Sequence, residues 1–162
     1  MQQGKHDMDS AMGPEMMRSH YSMLALNLAI SLVIMYVVMF AMIYSLGEFI
    51  QNINFFYMAL MMWAPMGSLM LLTMGSMYGN KRLNLFLHVA FGMIFILSFA
   101  GIREQGLVGN NQFLRSMIPH HSGAILMCEK ASITDPEIAR LCDGIVVGQK
   151  AEIAQMKALM AR

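Results

Sequence analysis

The stretch SMIPHHSGAILM, from Ser116 to Met127, sets two adjacent histidines after a proline and brackets them with methionines. Imidazole nitrogen and thioether sulfur both ligate late transition metals, and the thioether is the soft donor suited to Cu(I). Both side chains also fill interiors, methionine above all as a flexible packer. Neighbours on a helix point about 100° apart. His120 and His121 therefore cannot both face one core, and one of them looks to solvent or to a ligand. Metal binding is the chemistry these residues offer. The alternative is the opening of an ordinary amphipathic helix.

The elements that must position them can be read on either side. A helix from about Gln112 to Ala131, with Asn110 or Asn111 as its expected N-cap, has Phe113, Met117, His120, Ala124, Met127 and Ala131 on one candidate inward face, at alternating steps of four and three. SITDPEIA breaks it, with Asp135 as N-cap and Pro136 at the first position of a second helix. That helix repeats Ile138, Leu141, Ile145, Gly148, Glu152, Met156 and Leu159. A carboxylate inside such a face must find a partner or reach water. The short turn makes the two helices antiparallel neighbours, so opposed residues have numbers symmetric about Asp135. Cys128 then meets Cys142, His121 meets Gln149, and Met117 meets the neighbourhood of Glu152 and Ile153. Met117, His120, His121, Gln149, Glu152 and Met156 share one level. Pro119 leaves the carbonyl of Arg115 without its helical partner and makes room beside the histidines.

The rest of the chain is of another character. Of 162 residues, 57% are hydrophobic and only 13% charged, against about 25% in ordinary soluble chains. A net charge of +1 gives no footprint for nucleic acid. Residues 21–44, 55–77 and 83–102 form apolar runs long enough to cross a bilayer. No cleavable leader pattern precedes the first. The connection between the second and third runs carries Lys81 and Arg82 while that between the first two has no basic residue. The positive-inside rule therefore places Lys81, Arg82 and the N-terminus in the cytoplasm. The segment after the third run lies outside, in the periplasm of a Gram-negative bacterium. The expected organisation is a tail over 1–20 with His6, Met8, Met12, Met16, Met17 and His20, a membrane region over 21–102, and a helical metal-binding domain over 103–162. Met58, Met62, Met66, Met70 and Met74 fan over a broad arc of the second run, as filler would. His88 is an ionisable group inside a span, which marks either a functional residue or one satisfied structurally by Asn84.

The segment from Phe113 to Met160 resembles the domain of unknown function 305 family. Its Met-Ile-Pro-His-His core stands at Met117 to His121, its Ala-Ile-x-Met continuation at Ala124 to Met127, and its Gln-x-x-Glu-Ile-x-x-Met block at Gln149, Glu152, Ile153 and Met156. The resemblance implies an all-helical, ferritin-like extracytoplasmic domain, in which some members bind copper or silver and act in copper tolerance. Carried over residue by residue, it points to Met117, His120, His121, Met127, Glu152 and Met156 as metal site. Family members often have two copies of the motif, and this chain has one. A lone hairpin has little core, so two hairpins are expected to pair into a four-helix bundle in a homo-oligomer. Cys128 and Cys142 stand where alanine is more usual in the family. A disulfide, a thiolate pair for Cu(I) and two small buried hydrophobes all remain open.

The expected fold is thus all-α, three transmembrane helices followed by an extracytoplasmic hairpin, in a multi-pass protein of the inner membrane. The expected function is copper homeostasis or tolerance, with Cu(I) or Ag(I) held outside the cytoplasm and lipid and further copies of the chain as partners. A structural or oligomerisation protein without metal, or a component that moves copper across the membrane, are the alternatives. No Glu-x-x-His pair of a di-iron bundle and no nucleophile triad is present, so no enzymatic activity is expected.

Overall fold

In the computed structural model of the protein, residues 14–162 are described, with side chains from Arg18 onward. His6, Met8 and Met12 of the tail lie outside the described residues, as do the side chains of Met16 and Met17. All regular structure among the described residues is helical: α1 (Pro14–Val38), two 3-10 turns (Met39–Met42 and Leu46–Glu48), α2 (Ile53–Thr73), α3 (Lys81–Arg103), α4 (Asn110–Lys130) and α5 (Pro136–Met160). Three stretches, Arg18–Met42, Ile53–Thr73 and Lys81–Arg103, are long and apolar enough to cross a membrane. They coincide with the three runs read from the sequence.

The chain forms two compact units. The first comprises residues up to 35 together with 58–100. Its core is Leu24, Leu28, Ala64, Leu71, Tyr78 and Phe91, with Trp63, Met66 and Met70 packed against it. Gly67 is required here, because a Cβ would come within 2.7 Å of the Phe91 ring. Side chains also donate to backbone carbonyls: Trp63 Nε1 to Leu28 O at 2.7 Å, and Asn84 Nδ2 to Tyr78 O at 2.7 Å. Asn84 also accepts from the Tyr21 hydroxyl. It is therefore not the partner of His88, whose Nδ1 lies 2.6 Å from Ser68 Oγ. Among the α2 methionines, Met58, Met62 and Met74 are exposed while Met66 and Met70 pack inward. That scatter is the arc expected of filler on a helix whose residues advance 100° per step.

The second unit comprises residues 36–57 and 101–162. The sequence assigned 36–57 to the membrane region, whereas here this connection folds together with α4 and α5. The α4–α5 hairpin is closed by Asp135, whose carboxylate accepts from the backbone N–H groups of Glu137 and Ile138, with Pro136 beginning α5 as its fixed φ favours. The start of α4 differs from expectation. Gly109 is the N-cap, without a side-chain bond, because Asn111 Oδ1 instead accepts from Arg115 Nε at 2.7 Å. The helix runs through Pro119 without interruption. The seam between the helices is Ile118, Ile125, Ile153 and Met156, with Leu114, Met117, Val146 and Met160 at its margin. Cys128 and Cys142 are joined as a disulfide, with Cα atoms 5.3 Å apart.

Residues 36–57 cover one side of this hairpin by close, polar contact. Glu48 is buried; it accepts from the Ser122 hydroxyl and, at 3.1 Å, from Ser45 N–H. Ser122 Oγ accepts in turn from Tyr44 N–H at 2.6 Å. Ser45 and Glu48 form a capping box over the second 3-10 turn. Ile53 N–H is met by Gln112 Oε1 at 3.1 Å, and Gly123 lets Met42 approach its backbone. These bonds also bear on topology. A connection between the first and second spans can touch a domain after the third only if both lie on one side of the membrane. Three spans satisfy this.

Candidate functional site

The face predicted to point inward on α4 does not form the seam. Phe113 and Met127 are 51% and 58% exposed, His120 is exposed, and the buried positions are Ser116, Ile118, Pro119, Ser122, Gly123 and Ile125. On α5 the predicted face is met only in part: Met156 is buried as its place on that face implied, but Ile138 and Leu141 are exposed and Ile153, off that face, is buried. The working seam is rotated from the predicted one by about one residue. Two overlapping three-four repeats run along each helix, and spacing alone cannot rank them.

The sequence set His121 and Glu152 on one level of the hairpin but paired His121 with Gln149; the structure gives it Glu152, one turn further on. His121, on α4, reaches Glu152 on α5, with Nε2 to Oε2 at 2.7 Å. Its other ring nitrogen, Nδ1, lies 2.9 Å from the carbonyl oxygen of Met117, one turn earlier. Both ring nitrogens of His121 are thus engaged. His121 is held on two sides, at 11% side-chain exposure, whereas Glu152 is 57% exposed. Gln149, beside this pair, has a buried Oε1 that meets no donor among the described residues.

The other candidates fall into three environments. His120 is exposed and makes no hydrogen bond among the described residues; its ring centroid is 6.1 Å from that of His121. Met117 is half-buried at the margin of the seam, one turn from both histidines on the side that His120 shares. Met127 stands exposed two turns beyond His120. Met156 is the exception: at 8% exposure it belongs to the apolar core with Ile118, Ile125 and Ile153. Among the described residues no three His, Cys, Asp or Glu side chains converge. The disulfide commits both sulfurs of Cys128 and Cys142, which closes the thiolate alternative in this state of the protein.

Sequence reasoning missed the ring of polar contacts behind the histidines. Glu48, Ser122 and Tyr44 lock the α4 backbone from the far side. Lys150 and Glu129 pair at 2.8 Å next to them, with the Lys150 ammonium 5.2 Å from the centre of the Tyr44 ring. The hydrogen bond from Lys150 holds the Glu129 carboxyl below its usual range, and the same bond raises Lys150. The capping-box spacing Ser45-x-x-Glu48 was the available signal. It sits in a connection that composition assigned to the membrane region.

Comparison with known proteins places these residues in context. The family described as Domain of unknown function (DUF305) matches residues 98–160, which contain all of α4 and α5. The chain is 33% identical over 118 residues to Uncharacterized protein L153 of Acanthamoeba polyphaga mimivirus, an alignment covering 72% of this chain and 76% of that protein. No solved structure matches.

Proposed function

From the premise that this chain belongs to the DUF305 family, we propose that it is a membrane-anchored copper-binding protein that takes Cu(I) or Ag(I) on its helical hairpin, in copper homeostasis or tolerance. The observation that carries the reading is the different state of two adjacent histidines: His121 is bound at both ring nitrogens, while His120 is left exposed beside the thioether of Met117. In this reading His120 and Met117, three residues apart on one helix, are the primary donors. Nitrogen and thioether donors together suit a soft monovalent ion. Glu152 fixes His121 and supplies negative charge beside the cation, as carboxylates behind metal-binding histidines do. Met156 packs the core.

The hairpin and the connection over residues 43–52 lie outside the cytoplasm in this proposal, and the Lys81–Arg82 connection lies within it. The disulfide supports that orientation, because such bonds persist in oxidising compartments. The inner membrane of a Gram-negative cell, with the hairpin in the periplasm, is the corresponding location.

A competitive Cu(I) titration of the full-length protein in detergent tests the proposal. His120→Ala is expected to weaken binding by more than the roughly 10–100-fold typical of losing an outer contact, and Glu152→Gln by about that amount. Equal affinity in wild type and in a His120→Ala/His121→Ala protein sinks the reading.

A further inference from the structure

Each helix of the hairpin carries two apolar stripes, and only one is used within the chain. The seam takes Ile118 and Ile125 from α4 and Ile153 and Met156 from α5. The second stripes, Phe113 to Met127 on α4 and Ile138 to Glu152 on α5, stay outward, with Leu141 63% exposed. At 100° per residue the α5 stripe lies about a quarter-turn from the seam and the α4 stripe about a third, with His120 and Met127 nearest half a turn. The sense of rotation puts them on one face of an antiparallel pair, opposite the face covered by residues 36–57. A shallow cleft of about 400 Å³ runs along this face, bordered by Leu141, Gly144, Gly148 and Glu152. At Gly144 and Gly148 an added Cβ would meet nothing within 4 Å, so the centre of the face is open to another backbone.

On the premise of the metal reading above, we propose that a second copy of this chain docks on this face and that the two copies complete the metal site between them, Met127 of one joining Met117 and His120 of the other. Charge names the occupant. Arg140 and Glu152 both border the cleft and lie six residues to either side of Val146. A two-fold axis across the cleft reverses α5 and sets Arg140 of one copy against the partner's Glu152. The isologous contact of a two-fold dimer has this self-complementarity.

The same axis explains the donors. His120 and Met127 lie four residues before and three after Ala124, and Ala124 is level with Gly144 and Gly148 across the hairpin. Within one chain they stand roughly 10 Å apart along the helix axis, too far to share an ion while both side chains lean toward the helix N-terminus. Across the axis, His120 comes level with the partner's Met127. A single chain offers one imidazole and one thioether at this level; the partner supplies the missing sulfur, twice per dimer.

The test uses the full-length protein in lipid nanodiscs and follows mass, Cu(I) affinity and cross-linking. Ala124→Cys is expected to form a disulfide-linked dimer on mild oxidation, and Ala154→Cys, which is exposed on α5 away from this face, is not. Gly148→Glu adds its side chain into open space within the chain, so helicity and Tm should be kept. Dimer mass should be lost and Cu(I) affinity should fall tenfold or more. Gly148→Glu with wild-type affinity means that the metal is held by one chain, and the shared site is overturned. An Ala124→Cys that does not cross-link, but is shielded from a water-soluble maleimide only when lipid is present, gives the face to the bilayer and also overturns it. A wild-type dimer that cross-links at Ala124 and binds no Cu(I) overturns the metal reading while leaving the docking face standing.

Discussion

On the side of the hairpin that meets residues 36–57, contact is made by small and polar groups. Ser122 bonds Glu48 and Tyr44, Gly123 admits Met42, and Gln112 caps the free N–H of Ile53. The other side carries large apolar residues, Phe113, Met127, Ile138 and Leu141, all more than half exposed. The stripe read from the sequence as inward is thus, for the most part, the uncovered face. Small residues allow close backbone approach, and buried polar groups demand partners, so the covered side is held by satisfied hydrogen bonds rather than by apolar bulk. The candidate metal donors Met117, His120 and Met127 stand at or on the uncovered side. The polar network behind them holds their helix in place.

The contrast can be broken experimentally, most forcefully at the seam. Ile125→Ala, at 1% exposure, should cost about 2–5 kcal/mol in denaturant unfolding of the second unit. Leu141→Ala on the open face should stay within about 0.5 kcal/mol under conditions where the chain is monomeric. Equal costs would mean that the open face is buried even within one chain. Reduction of Cys128–Cys142, which closes a loop with a sequence separation of 14, should lower stability by about 3 kcal/mol, visible as an earlier urea midpoint after thiol treatment. Glu48→Ala removes the acceptor of the Ser122 hydroxyl. It should cost about 1.5–3 kcal/mol, the range for bonds to a charged group, with faster hydrogen exchange at Tyr44 and Ser45. Unchanged exchange there would show that residues 36–57 are not held by this bond.

The smallest effect concerns Glu129 and Lys150 at the edge of the covered side. Glu129 is held below its usual value of 4.5 chiefly by the Lys150 hydrogen bond. Its contribution is present above that value and is lost as pH falls through the lowered one. Lys150 is raised from 10.5, so its contribution is present below that value and is lost as pH rises through the raised one. Both groups are solvent-exposed, and such pairs contribute little. Lys150→Met should slightly flatten the acid limb of a thermal-melt series; an unchanged limb would remove the pair from the contrast.

Much of this was legible beforehand. Three spans follow from apolar runs that nothing but a bilayer or a deep core would accommodate, and the helices match them. Asp135-Pro136 marked the start of α5 because the cap and the fixed φ act locally. That His121 and Glu152 share a level of the hairpin followed from the symmetry of an antiparallel turn, although that symmetry set His121 against Gln149, one turn short of its actual partner. The N-cap of α4 was missed, because Arg115 draws the Asn111 side chain away. The docking of residues 36–57 was missed too, since nothing local ties Glu48 to Ser122, 74 positions later.

By itself, then, the sequence determined the helices, their limits and the level at which histidine meets glutamate, because hydrophobic length, capping and turn chemistry act over a few residues. Tertiary structure alone decided which of two equally periodic stripes became the seam, and that His120 rather than His121 is the unbound imidazole. Those outcomes depend on what covers each face of a helix. Only the folded chain, bringing residues 36–57 against one side and none of its described residues against the other, settles that.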